Sequence, residues 1–150
     1  MLLVFAAISL LALPIPASAS LGEDVGSVQA DQARMRGVQR TTRTELYTVH
    51  EIKASAGTMV REYVSSAGKI FAVAWQGPFL PDLRQLLGRY FERFSQASQA
   101  RNNTRPRIRG PIMLQEPGLV VQSGGHMRAY FGKAYIPDQV PQGVDIEEIR

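Results

Sequence analysis

The chain has 150 residues, with 17 Lys and Arg against 13 Asp and Glu, a net charge of +4, a pI near 9.8 and no cysteine. That length suits one domain, and an apolar fraction of 45% with 20% charged residues excludes a disordered or collagen-like chain. The missing cysteine excludes a disulfide scaffold, a thiolate metal site, a cysteine nucleophile and a lipid-anchored N-terminal cysteine.

Met1–Ala19 is uncharged and largely apolar and ends in Ala17-Ser18-Ala19, the small-residue pattern of a secretory cleavage site. Pro14 and Pro16 interrupt the run before it reaches the roughly 20 apolar residues of a membrane span. Residues 1–19 therefore read as a signal peptide that is removed, leaving no stable anchor. Residues 20–150 read as a single exported domain, periplasmic or secreted.

Glu23–Arg36 reads as a helix, with Val25, Val28, Gln32 and Met35 on one face. Acids at its start and arginines at its end suit the helix dipole, and Gly37 is a stop. Gln39–Arg43 reads as a basic polar linker. Then come two turn tripeptides, Ser55-Ala56-Gly57 and Ser66-Ala67-Gly68, each ending in the glycine that a three-residue hairpin loop favours. They separate Tyr47–Lys53, Thr58–Val64 and Lys69–Gln76, three runs of β-branched and aromatic residues that predict an antiparallel meander. Counting outward from the turns pairs Val49 with Tyr63, Tyr63 with Phe71, His50 with Glu62, and Arg61 with both Glu51 and Val73. Alternation then puts Tyr47, Val49, Met59, Tyr63, Phe71, Val73 and Trp75 on one bulky face, the face expected to receive a helix.

Pro81 and Asp82 open the next helix, in which Leu83, Leu86, Leu87, Tyr90, Phe91 and Phe94 form the strongest apolar stripe of the chain; it fades in the polar run 95–100. Residues 101–110 read as a basic loop. Gly118–Gln122 and Met127–Ile136 read as two strands joined through Ser123-Gly124-Gly125-His126. The predicted fold is α+β: an N-terminal helix, a three-stranded antiparallel meander, a long amphipathic helix and a C-terminal two-stranded hairpin.

Several stretches combine into a pattern: Thr48-Val49-His50-Glu51, Val60-Arg61-Glu62-Tyr63-Val64, Phe71 to Pro78, Pro81 to Gly88, Ser123 to Ala129, and Pro141-Gln142-Gly143-Val144. Together they resemble a family of short exported bacterial proteins catalogued as domain of unknown function 2844. The resemblance covers nearly all of residues 20–150. It implies export and transfers no catalytic residue.

Candidate sites weigh as follows. Trp75 and Gln76, followed by a tight turn and then Asp82, could rim a pocket, against the plainer reading of Trp75 as core and Asp82 as a helix-start residue. His126 and Arg128 beside paired glycines could bind an anion or move a proton, against a hairpin turn. Trp75, Gln76, Asp82, His126 and Arg128 are thus the candidate ligand or partner surface. His50 opposite Glu62 could be an acid–base pair, against an ordinary cross-strand pair. With two histidines and no metal-binding motif, neither a metal nor a cofactor is expected.

Arg84–Arg109 holds seven arginines and a single acid, Glu92, which makes Arg101, Arg105, Arg107 and Arg109 a candidate anion-binding patch. Export argues against nucleic acid as its partner. The expectation is a non-enzymatic binding or accessory domain whose partner is an envelope protein or an anionic envelope component. The alternatives are a small hydrolase or transferase using His126 or His50, and an assembly factor that pairs through a sheet edge.

Overall fold

Residues 21–104 and 110–150 are described by the computed structural model, and one antiparallel sheet dominates them. The chain begins with a short helix, α1 (Val28–Met35), then β1 (Val38–Arg43), β2 (Tyr47–Lys53), β3 (Met59–Ser65) and β4 (Ile70–Gly77). Helices α2 (Leu83–Leu87) and α3 (Phe91–Thr104) follow, then β5 (Ile112–Glu116), β6 (Leu119–His126) and β7 (Ala129–Tyr135). The sheet order is β1-β2-β3-β4-β7-β6-β5.

This overturns the expected meander with a separate hairpin. β7 lies along β4, with Ala74 opposite Lys133 and Trp75 opposite Gly132, so the two predicted units form one seven-stranded sheet. The joint depends on Gly132. A Cβ there would stand 2.3 Å from the Trp75 ring, so glycine lets the indole lie across β7.

The stretch Gln39–Arg43, read as a linker, belongs to β1. It carries no apolar alternation because all but Gln39 of its residues are exposed, yet Val38, Thr41 and Thr42 suit a pleated strand paired along β2. β5 was not expected either. Its partner β6 runs on through the glycines to His126, so the turn falls at Met127-Arg128, with Arg128 left-handed at φ 66°.

The N-terminal helix is shorter than Glu23–Arg36. A 3-10 turn occupies Val25–Ser27, and α1 ends on left-handed Arg36, whose N–H donates to Ala33 O while that of Gly37 donates to Gln32 O. The long amphipathic helix is broken at Gly88 (φ 50°), which separates α2 from α3. α3 then continues through the polar run and four residues of the expected loop, to Thr104.

The side taken by the helices is also corrected. At the β3–β4 pairing the register shifts between Tyr63 and Val64: Tyr63 faces Ala72 and Val64 faces Ile70, leaving Phe71 as the extra residue of a bulge. Phe71 and Ala72, although consecutive, both pack in the same cluster with Tyr63, Ala74 and Ile149. Val73 and Trp75 point the other way, into the main core with Ile52, Val60, Val64, Ile70, Leu83, Leu86, Leu87 and Phe94.

The helices therefore cover the face that carries Ile52, Val60, Val64, Ile70, Val73 and Trp75. The bulky face, where the rings of Tyr47, Tyr63 and Phe71 stack at 5.7–6.3 Å, is covered by the C-terminal segment through Val140, Val144, Ile146 and Ile149. The segment is held by Lys133 Nζ donating to Ile146 O at 2.9 Å and by Arg61 donating to Arg150 O at 2.7 Å.

Candidate functional site

The C-terminal segment covers only part of its face. Beside it, cavities open along β4 and β7. One of about 330 Å³ is lined by Gln76, Gln122, Phe131, Lys133 and Arg150, with the Trp75–Gly132 pair in its wall. A second, about 290 Å³, shares Gln76 and Phe131 and adds Pro78, Arg128 and Tyr130. A third, about 330 Å³, shares Gln76 and Arg150 and reaches Thr42, Tyr47, Glu51 and Arg61.

Gln76 lines all three. Its side chain is exposed and has no hydrogen-bond partner among the described residues, so an amide donor and an amide acceptor are both available. Phe131, 51% exposed, supplies an apolar wall. An open cleft with a few convergent polar groups against an aromatic ring is the ordinary chemistry of a binding site.

The predicted surface residues divide. Gln76 and Arg128 meet at the second cavity, and Trp75 joins Gln76 at the first while its ring is 1% exposed and its Nε1–H is unpartnered. Asp82 lies apart, capping α2 by accepting from the N–H groups of Arg84 and Gln85 at 2.9 and 3.2 Å. His126 is exposed at the β6–β7 tip and lines none of these cavities.

Of the anion patch, Arg105, Arg107 and Arg109 lie outside the described residues, as do residues 1–19, which were expected to be a signal peptide. Arg101 donates to Pro111 O at 2.6 Å and so ties α3 to the strand that follows. No helix among the described residues is long and apolar enough to cross a membrane.

His50 does stand opposite Glu62, but the two are not hydrogen-bonded. His50 Nδ1 contacts Gln39 Nε2 at 2.9 Å and Thr41 Oγ1 at 3.1 Å, and burial followed by the Arg43 charge lowers its pKa. Glu62 instead meets Asp31 of α1. Both are fully buried, and Gln85 of α2 donates to Asp31 Oδ1.

Among the described residues, neither Glu62 oxygen nor Asp31 Oδ2 has a hydrogen-bond partner. Burial, and then the partner Asp31, push Glu62 up to about 9; burial pushes Asp31 up to about 6 against the lowering effects of Glu62, Gln85 and Arg34. The pair titrates as a unit.

Sequence reasoning missed this pair. The available signals were Glu62 sharing a row with Val60 and Val64, and Asp31 lying three residues after Val28 and four before Met35. Its place beneath α1 and α2 makes it a join between layers.

A seven-stranded antiparallel sheet backed by helices on one face defines an α+β domain. By sequence, the chain belongs to the family described as protein of unknown function DUF2844, whose family model matches residues 17–149. No curated protein and no solved structure matches it.

Proposed function

We propose that this chain is an exported, non-enzymatic binding or accessory domain of the periplasm or cell envelope, with its ligand seat in the cleft around Gln76. The observation that carries the reading is the Gln76 amide, without a protein partner, at the junction of three cavities and beside the half-exposed Phe131. The signal pattern of Met1–Ala19 supports export. Arg128 lines the second cavity with no acid beside it among the described residues, which favours a partner with anionic groups, either an envelope protein or an anionic envelope component.

Two measurements test this. Fractionation of the producing cell should place the chain outside the cytoplasm with Ser20 as its first residue. Co-sedimentation of the purified chain with envelope fractions should weaken about tenfold for Gln76→Ala combined with Phe131→Ala. Unchanged co-sedimentation with intact folding rejects the cleft as the seat.

A further inference from the structure

The outer edge of β1 has the features of a strand acceptor. β1 ends the sheet and has β2 as its only strand partner among the described residues. Its six residues pair with β2 in unbroken register and include no proline. The hydrogen bonds Thr44 N–H to Tyr47 O and Ala54 N–H to Thr58 O, both 2.9 Å, set the phase of the alternation. Val38, Arg40 and Thr42 turn their backbone groups toward β2, so the N–H and C=O groups of Gln39, Thr41 and Arg43 face outward. The contacts of Gln39 and Thr41 with His50 hold these residues to β2 from beneath, which keeps the edge extended.

Natural sheets blunt such edges with proline, bulges, charged side chains or a covering element. Of these the β1 edge has only charge, and that charge is of one sign. Arg36, Arg40 and Arg43 are exposed and have no ion pair among the described residues, no acid occurs from Gln32 to Thr44, and nearby Glu51 is paired with Arg61 at 2.8 Å. Arg40 and Arg43 stand on opposite faces of the strand, so guanidinium groups flank the edge on both sides. A second copy pairing here would set arginines against arginines, and like charges across a strand pair are unfavourable.

We propose that the outer edge of β1 accepts an extended, acidic segment of a partner protein as an additional strand. Backbone hydrogen bonds at Gln39, Thr41 and Arg43 would supply affinity, and the arginines would select acids about three residues apart, one on each face of the added strand. The proposal extends the reading of the chain as a binding domain, at a surface three strands from β4. Because the test reads β1 amides directly, its failure is distinct from failure of the Gln76 cleft.

The test uses the 15N-labelled chain with a peptide of about ten residues in which glutamates three apart are separated by valine and threonine, and its lysine counterpart. The acidic peptide should slow hydrogen exchange at the amides of Gln39, Thr41 and Arg43 by about tenfold or more, with no such effect from the lysine peptide. Arg40→Glu with Arg43→Glu should weaken the acidic peptide at least about tenfold. Thr41→Pro, which removes an outward donor and no β1–β2 backbone bond, should do the same, whereas Thr41→Val, which loses the same hydroxyl contact with His50 but keeps the donor, should leave peptide affinity intact. The proposal is overturned if the three amides stay unprotected, if the lysine peptide protects equally, or if charge reversal leaves affinity intact. It is likewise overturned if the amides become protected with rising protein concentration alone, since a second copy would then fill the edge.

Discussion

Asp31 of α1 and Glu62 of β3 lie buried together, and Asp31 raises the pKa of Glu62 while Glu62 lowers that of Asp31 against the larger effect of burial. The pair joins α1 to the centre of the sheet, and Gln85 brings α2 into the same join. Two buried carboxyls with raised pKa values make that join sensitive to pH.

Because both folded-state pKa values are raised, the folded state holds more protons than the unfolded chain from about pH 4 upward. Stability is then fully present below the unfolded values and falls as pH rises through about 6 and on to about 9. The slope is at most about 1.4 kcal/mol per pH unit for each extra proton held. Glu62→Gln, which keeps the shape and gives Asp31 a permanent donor, should flatten that fall. Urea midpoints between pH 5 and 9 measure it; a wild-type midpoint that rises with pH would refute the raised pKa values of the pair.

Gly132→Ala places a methyl against the Trp75 ring at the β4–β7 seam. Forcing extra volume into a packed site costs about 1–3 kcal/mol. The melting temperature should drop and the emission of the sole tryptophan should shift, since the indole must move.

Ile149→Ala should cost about 2–5 kcal/mol, the range for truncating a buried isoleucine. Ile149 is 1% exposed and packs the C-terminal segment onto Phe71 and Tyr63. Hydrogen exchange should speed up at Val144 and Ile149 before the β2–β4 core opens, so loss of the segment precedes loss of the sheet.

Asp82→Ala removes the side-chain acceptor for the Arg84 and Gln85 amides at the start of α2. The loss should be about 0.5–2 kcal/mol in urea denaturation. Asp82→Asn should recover most of it, because an amide oxygen still accepts.

Local chemistry determined much of this protein. Gly57 and Gly68, with φ of 93° and 77°, close the two turns, and the strands beside them run where the β-branched and aromatic residues lie. Turn length alone placed Val49 opposite Tyr63 and His50 opposite Glu62. The start of α2 at Asp82 was equally legible, because a cap acts within one helical turn.

What only the tertiary structure decided is how these pieces meet. β4 pairs with β7 more than fifty residues later, and β1 forms from a polar segment with no apolar period to announce it. The single extra residue at Phe71 reverses the side chains beyond it and thereby selects which face takes the helices and which takes the C-terminal segment. The cleft at Gln76 and the Asp31–Glu62 pair follow from that choice. Turns and caps are governed by neighbours a few residues away, whereas faces, partners and buried protons are set by contacts that exist only once the sheet is packed.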